Sequence, residues 1–461
     1  MMKKSVLTVA LAAAFVAPAA SAADDKELAA IREQIRQMKE SYEARLQSLE
    51  QRLQEAQAAV AQAQNTAVAA QQAPAAAPEP APAPAPAPAA ANAFNPNISL
   101  VLAGTYQNLS QDPSRYRIQG FAPPGGEVGP GQRSFNLGES ELTMMANIDP
   151  MFSGVLTFAL GSEDTVGVEE GYFQTRSLGS GFNVRAGRFL SSLGYLNSIH
   201  AHAWDFVDAP LAYQAFFGGQ YKTDGVQARW LAPTDTFIEL GAEAGSGRSF
   251  PGSDRNKNGI GSSIVFAHVG DDIGDSGSWR AGLSYLHTGS ANRGFDDNGV
   301  QNAFSGTSNM WVADAIYKWA PHGDPSRQNL KLQGEYLRRK ESGTLAAGEL
   351  AGPYASTQSG WYLQGVYQFM PYWRAGLRYD RLSSGTPQIG LVDNGQLGIG
   401  AFPALASYAP SRGTVMLDYS PSEFSRLRLQ FARDKARPGA ADNEIFLQYI
   451  MSLGTHAAHA F

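Results

Sequence analysis

The stretch WRAGLRYD, residues 373–380, decides the fold, because its apolar and polar side chains alternate without a break. The apolar positions are Trp373, Ala375, Leu377 and Tyr379, and the positions between them are Arg374, Gly376, Arg378 and Asp380. A period of two places successive side chains on opposite faces of an extended chain. The stretch therefore predicts a β-strand with one apolar and one charged face.

The same alternation recurs along the chain, for example at 98–102, 279–285 and 427–431. The runs are about ten residues long, as in a tilted membrane-crossing strand, whereas strands of soluble sheets average about five to six. We count about sixteen runs, joined by turns that are alternately short and long, which is typical of bacterial outer-membrane barrels. The longer connections are predicted at 110–134, 190–220, 246–259, 288–306, 341–356 and 383–409.

Tryptophan placement supports a barrel in a lipid bilayer. Trp230, Trp279 and Trp373 lie beside short turns, whereas Trp311 and Trp361 follow long connections, and all share the apolar parity of their strands. Two aromatic belts at the membrane interfaces explain this pattern. An alternating strand ending at Phe461 is expected at the end of such a barrel. We therefore predict an all-β fold, a transmembrane antiparallel β-barrel of about 16 strands.

Three segments of different character precede the predicted barrel, which covers residues 94–461. Residues 1–22 have the charged, apolar and small-residue regions of a secretory signal peptide. Residues 23–65 carry apolar side chains at spacings of three and four, which predicts a coiled-coil helix that self-associates; an amphipathic helix packed on the rest of the chain remains open. Residues 66–93 are rich in Ala and Pro and predict an extended linker.

Composition narrows the function. The 461 residues include no cysteine and have a formal net charge of -6, which argues against thiolate chemistry and against a nucleic-acid partner. No Gly-x-Ser-x-Gly or His-Glu-x-x-His motif is present, so we predict no enzyme and no cofactor. The expected location is the bacterial outer membrane, with the coiled coil in the periplasm, where it could also contact peptidoglycan.

The connection 190–220 contains the stretch HAHAWDFVDAP, residues 200–210. Imidazoles two residues apart on an extended segment point to the same side, and an aspartate could add an oxygen ligand. We therefore consider His200, His202 and Asp205 as a transient site for a divalent cation. The alternative is that these polar groups only hydrogen-bond the segment to its surroundings.

The stretch VRAGRFLSSLG, residues 184–194, with the connection behind it, resembles the phosphate-selective porin O and P family. The resemblance implies a homotrimeric outer-membrane channel with a preferred solute and a third external loop folded into the lumen. The constriction would then carry His200, His202, Asp205 and Asp208. The chain departs from that family in having no Lys or Arg between Phe189 and Tyr221. Its lumen face carries both arginines and carboxylates, so the sequence leaves the sign of ion selectivity open.

The charged parity of the strands predicts the residues that line the lumen: Arg185, Arg229, Glu239, Arg280, Arg374, Arg378, Arg426 and Arg428. A second predicted cation site is DRNKNG, which matches the first half of a calcium loop through Asp254, Asn256 and Asn258. It lacks the glutamate of the twelfth position.

The expected function is a passive diffusion channel for small hydrophilic solutes or ions. Two alternatives remain open: an outer-membrane uptake channel or receptor for a divalent metal such as zinc, and a structural barrel that tethers the envelope. The chain also has some likeness to zinc-regulated TonB-dependent receptors, but without their plug domain.

Overall fold

The computed structural model describes residues 96–125, 128–161, 165–176, 178–297 and 299–454. The predicted signal peptide, the coiled coil, the linker and Phe461 lie outside these residues, and those predictions stay predictions.

The described residues form eighteen strands in a single sheet. They are β1 (Asn97–Leu109), β2 (Ser134–Leu137), β3 (Ser140–Asn147), β4 (Phe152–Leu160), β5 (Val166–Thr175), β6 (Phe182–Leu190), β7 (Lys222–Leu231), β8 (Phe237–Gly245), β9 (Ser262–Ile273), β10 (Gly277–Asp297), β11 (Val300–Trp319), β12 (Asn329–Ala347), β13 (Leu350–Met370), β14 (Trp373–Ser383), β15 (Gln388–Ile389), β16 (Ser411–Ser422), β17 (Ser425–Asp434) and β18 (Asp442–Gly454).

The sheet closes on itself as a barrel. Each main strand pairs antiparallel with the next, and β1 closes the ring by pairing with β18 from Ser99↔Gly454 to Leu109↔Glu444. The short β2 extends the contact of β3 with β1, and the two-residue β15 adds to the edge of β13. The ring therefore has sixteen strands, which confirms the predicted barrel.

The wall of the barrel is higher on one side than on the other. Strands β10–β13 are 19–21 residues long, whereas β3–β8 have 8–10. The loops predicted at 288–306 and 341–356 were therefore wrong, because both stretches continue as paired strands.

These strands extend further because their inward side chains pack against another segment of the chain. Their inward side chains Phe295, Phe304, Leu345 and Tyr354 are buried in a cluster with apolar residues of the segment 389–405. This burial stabilises regular strands where alternation alone gave only a weak signal.

Large apolar side chains cover the outer surface. Trp311 and Trp361 lie in a row of outward-facing aromatic residues that also includes Tyr285 and Tyr379. Trp319 follows Trp311 by eight positions on β11, about 27 Å along the strand, or roughly 20 Å after a tilt of about 40°. This spacing is comparable to the apolar band of about 25 Å that outer-membrane barrels present to lipid.

The helices of the described residues lie in the longer connections. They are α1 (Leu211–Phe217), α2 (Gly390–Asp393) and the 3-10 turns Pro113–Arg115, Leu196–Ser198, Ala201–Ala203, Pro321–Gly323, Ile399–Ala401 and Pro403–Leu405. No helix in the described part of the chain is both long and apolar enough to cross a membrane. The connection 191–221 between β6 and β7 turns inward, and we call it the inserted segment.

Candidate functional site

The inserted segment packs on an apolar patch of the inner wall. Five adjacent strands supply this patch: Leu286 of β10, Met310 and Val312 of β11, Leu337 of β12, Tyr362 of β13 and Leu382 of β14. Helix α1 lies against it, with Tyr213 and Phe216 fully buried. Burying one large apolar side chain contributes about 1.5–3 kcal/mol, so the patch supplies much of the energy that holds the segment inside.

Sequence reasoning missed this patch, because its residues lie on the strand face that was predicted to be polar and to line the lumen. Leu337, for example, stands between Glu335 and Arg339 on the inward face of β12. The sequence did contain a signal for the patch. Neighbouring strands carry apolar residues at corresponding positions of the face that points into the barrel.

The wall and the glycine after α1 fix the two ends of the helix. The first helical N–H, that of Leu211, donates to Asp380 Oδ1 of β14 at 2.9 Å. Gly218 ends the helix in the left-handed conformation at φ 72°, which glycine adopts without a steric penalty. A carboxylate of the barrel therefore caps a helix of the inserted segment.

Two aspartates of the inserted segment form buried ion pairs with the wall. Asp208 Oδ1 accepts hydrogen bonds from Arg378 Nη2 and Gln430 Nε2, both at 2.9 Å, and its other oxygen pairs with Arg412. Burial alone would raise the pKa of Asp208, but the nearby guanidinium groups of Arg412 and Arg378 lower it. The carboxylate is therefore charged and fully paired.

Asp205 is held in the same way. Its carboxylate pairs with Lys331 and with Arg374, whose Nη1 lies 3.4 Å from Oδ1. Burial would raise the pKa of Asp205, but Lys331 and Arg374 outweigh it and lower the pKa to about 2.

The wall also satisfies the backbone of the inserted segment. Arginines donate to its carbonyl oxygens: Arg378 to Asp208, Arg412 to Ala209, Arg426 to His202 and Arg428 to Trp204. Carboxylates accept from its N–H groups: Glu335 from Leu196 at 2.8 Å and Glu243 from Ser192 at 2.9 Å. Buried backbone groups need such partners, so these charged residues position the segment.

The eight residues predicted to line the lumen therefore divide into two groups. Arg374, Arg378, Arg426 and Arg428 bind the inserted segment. Arg185, Arg229, Glu239 and Arg280 line a cavity of about 720 Å³ beside it. Here Arg185 lies over the ring of Tyr172 and Arg280 over that of Tyr195.

The two histidines of the inserted segment meet a group of glutamates on the wall of this cavity. Nδ1 of His202 lies 2.8 Å from Glu141 Oε1, and Nδ1 of His200 lies 3.0 Å from Glu141 Oε2 and 3.1 Å from Glu169 Oε2. The other ring nitrogen of His200, Nε2, lies 3.0 Å from Glu170 Oε2. We call these five residues the His–Glu cluster.

A β-bulge brings two consecutive glutamates into this cluster. In the pairing of β4 with β5, Thr157 is opposite Glu170 and Phe158 is opposite Val168, so Glu169 has no partner. Successive residues of a regular strand face opposite sides, whereas a bulge changes the direction of a side chain. Glu169 and Glu170 are accordingly both buried. The parity of β3 places Glu141 on the lumen face, but sequence reasoning missed Glu169 and Glu170, because alternation does not reveal the bulge.

Three carboxylates change the protonation of His200. Burial alone would lower its pKa, but hydrogen bonds to Glu141, Glu169 and Glu170 raise it well above the ordinary value. Without another cation, His200 is an imidazolium that donates from both ring nitrogens.

The structure brings only part of the predicted site together. His200 and His202 line the cavity and lie side by side. Asp205 is not with them, because Lys331 and Arg374 hold its carboxylate, and Asp208 is buried in ion pairs instead of facing an opening. In the predicted calcium loop, Asp254 pairs with Arg248 and accepts from the Asn256 N–H, while Asn258 is exposed.

Comparison with known proteins shows a relative of unknown activity. An uncharacterized protein of Aquifex aeolicus is 31% identical over 398 residues, covering 80% of this chain and 80% of that protein. The chain belongs to the same family as this Aquifex protein. No family model matches, so the resemblance to the porin O and P family is not confirmed.

Solved structures with a similar fold are outer-membrane proteins. A loop-deletion mutant of OmpT of Vibrio cholerae has a TM-score of 0.49 at 11% identity and covers 78% of this chain and 99% of its own. The outer-membrane channel DcaP of Acinetobacter baumannii has a TM-score of 0.46 at 12% identity, with coverages of 78% and 97%. An anion-selective porin from Comamonas acidovorans has a TM-score of 0.46 at 11% identity, with coverages of 78% and 99%. The closed ring of paired strands by itself defines the barrel.

Proposed function

We propose that this protein is an outer-membrane diffusion channel for small hydrophilic solutes or ions, narrowed by the inserted segment. The observation that carries the proposal is the cavity of about 720 Å³ inside a closed barrel, lined by charged side chains next to a segment that the wall holds in place. A barrel that only anchored other parts of the chain would not need a charged interior.

The outer surface supports a location in a membrane. Its apolar side chains and its aromatic row fit the lipid-facing band of such barrels. The signal peptide predicted from residues 1–22 supports export from the cytoplasm.

We further propose that the channel prefers cations. The cavity is lined by six carboxylates, by three arginines and by the His200 imidazolium, so negative charge is in excess. The acidic groups are Glu141, Glu170, Asp235, Glu239, Asp271 and Asp272, and the arginines are Arg185, Arg229 and Arg280. Fixed negative charge in excess attracts cations into a narrow aqueous path.

The proposal also includes a homotrimer, supported by the predicted self-association of residues 23–65 and by the resemblance found in the sequence. Chemical cross-linking of the detergent-solubilised protein would detect three subunits. A chain lacking residues 23–93 would show whether the helix is needed.

The test of the channel is conductance in planar lipid bilayers under a salt gradient. Stepwise currents with a reversal potential on the cation side support the proposal. A reversal potential on the anion side would overturn only the proposed cation preference, and the channel function would stand. Absence of conductance by correctly folded protein would refute the channel and favour the envelope-tethering alternative.

A further inference from the structure

We propose that the His–Glu cluster binds one divalent transition-metal ion of the zinc class, with Glu141, Glu169, His200 and His202 as ligands and Glu170 orienting His200. The inference goes beyond the channel function, because metal binding is measured on the purified protein without a membrane current. It replaces the predicted ligand Asp205 with carboxylates of the wall.

The donor atoms of the cluster lie close together. One donor each from Glu141, His200 and His202 lies within 4.8 Å of the others. Glu169 Oε2 lies 3.1 Å from His200 Nδ1 and belongs to an adjoining group with Glu139 and Glu141, so a shift of its side chain would make it the fourth ligand. Zinc binds tetrahedrally with distances of about 2.0–2.1 Å, so its ligand atoms lie roughly 3.3 Å apart. The separations of 2.8–3.1 Å between the imidazole nitrogens and their carboxylate oxygens are close to this value. Glu141 meets His200 through Oε2 and His202 through Oε1, so its carboxylate turns when the ion binds.

The other ring nitrogen of His200 also has the partner that a metal-bound imidazole needs. A metal-bound imidazole almost always donates its remaining N–H to a carboxylate, a carbonyl or water, which fixes the ring orientation. Glu170 Oε2 lies 3.0 Å from His200 Nε2, and Glu170 in turn accepts the Leu190 N–H at 2.9 Å. The orienting carboxylate is thus itself held in place by the backbone.

The negative charge of the cluster favours a bound cation. Glu141, Glu169 and Glu170 are each less than 10% exposed and face two imidazoles. Buried carboxylates are costly unless cations balance them. A divalent ion shared by Glu141, Glu169 and two neutral imidazoles supplies that balance, and nitrogen and carboxylate donors together suit zinc.

The barrel contains a matched control in which the ligand set is incomplete. His268 Nδ1 lies 2.9 Å from Glu239 Oε2 in the same cavity, and His268 is buried. This pair has one imidazole and one carboxylate, too few for a tetrahedral site. His268→Ala therefore removes a buried histidine–carboxylate contact without removing a proposed ligand.

A bound ion would link the inserted segment to strands of the wall other than those that hold Asp205 and Asp208. The histidines come from the segment, whereas Glu141 belongs to β3 and Glu169 to β5. The metal would therefore fix the part of the segment next to the cavity.

The test is metal binding by the full chain in detergent. Isothermal titration with zinc should give one ion per chain, and cobalt in its place should give the intense visible absorption of a tetrahedral site. Glu170→Gln should weaken binding about 10–100-fold, the range for a carboxylate that orients a metal-bound imidazole. His202→Ala and Glu141→Gln should weaken it more, and His268→Ala should not change it.

Folding of each variant is checked by the slower migration of the heated protein on a denaturing gel, because intact barrels resist unheated detergent. The proposal is overturned if folded wild-type protein takes up no zinc, or if the His200→Ala/His202→Ala variant binds as tightly as the wild type. It is also overturned if His268→Ala weakens zinc binding as much as His200→Ala/His202→Ala does. Each of these results leaves the channel test unaffected.

Discussion

Arg378 of the barrel wall and Asp208 of the inserted segment form a buried ion pair, with Nη2 and Oδ1 2.9 Å apart and both side chains less than 10% exposed. The same guanidinium donates to the backbone carbonyl of Asp208 at 2.8 Å. One arginine therefore fixes both the side chain and the backbone of the segment. A single substitution in this pair should therefore loosen the inserted segment of the proposed channel.

Asp208→Asn should loosen the inserted segment and raise the single-channel conductance. The substitution removes one of the two carboxylates that Arg378 and Arg412 share, because both guanidinium groups also pair with Asp380. Breaking a buried ion pair from one side costs up to about 3–5 kcal/mol. Limited proteolysis should cut the segment faster than in the wild type, while heat-dependent gel migration should still show a folded barrel.

The matched control is the ion pair between Arg188 and Asp224 on the outer side of β6 and β7. Its Nε–Oδ1 distance is 2.7 Å, but both side chains are 42% exposed. An exposed pair contributes about 0–1 kcal/mol, so Asp224→Asn should leave conductance unchanged. Equal effects of the two substitutions would show that Asp208 does not hold the segment.

Phe216→Ala should release α1 from the apolar patch. Phe216 is fully buried, packs edge-on against Phe121 at 5.5 Å and lies under the Arg339 guanidinium at 5.1 Å. Removing a buried phenylalanine side chain costs about 3–5 kcal/mol. Hydrogen exchange should accelerate in 191–221 and remain slow in the strands. Leu363→Ala on the outer face, where the side chain is 58% exposed, is the control.

The inserted segment should stay in place in moderately acidic solution. The pKa of Asp205 is lowered from 3.8 to about 2, because Lys331, Arg374 and Arg428 outweigh the effect of burial. A carboxyl group with a lowered pKa contributes stability that is full above its unfolded pKa and is lost as the pH falls through the folded pKa. The contribution, about 2 kcal/mol, should therefore vanish between about pH 4 and pH 2.

Conductance recorded from neutral pH downward tests this statement. Above about pH 4 the conductance should not increase, because the segment stays in place. In Lys331→Met, which removes one of the cations, release should begin at a higher pH. An acid-induced increase centred near neutrality in the wild type would contradict the role given to Asp205.

The charge of the cavity should set ion selectivity. Arg280→Gln removes one of three guanidinium groups from the lining and should shift the reversal potential further toward cation preference. Asp235→Asn removes one of six carboxylates and should shift it in the opposite direction. Shifts of the same sign in both variants would show that this cavity is not on the ion path.

The alternation of stretches such as 373–380 was sufficient to predict the barrel, because a period of two that persists over about ten residues is typical of strands that cross a membrane. The partners of the inserted segment could not be predicted. Asp205 and His202 are three residues apart, yet one meets Lys331 of β12 and the other meets Glu141 of β3. These contacts depend on the register around a closed ring and on the bulge at Glu169, which leave no periodic signal.

The measurement that tests the central claim most directly is a rescue experiment with an engineered disulfide. The chain has no cysteine, so a new pair is the only one that can form. A Cβ built on Gly360 lies 3.4 Å from the Cβ of Ala212, close to the 3.5–4.5 Å of disulfides. It also meets the end of the flexible Leu382 side chain and lies 3.2 Å from the Phe216 ring, and both side chains have to shift slightly.

Ala212→Cys and Gly360→Cys are combined with Asp208→Asn, and single-channel conductance is recorded before and after reduction. The account predicts wild-type steps when the disulfide ties α1 to β13, and larger steps when it is reduced. Large steps in both states, although the disulfide has formed, would contradict the claim that the inserted segment narrows the channel. If conductance steps are absent in both states, or in the wild type, the result would contradict the channel itself.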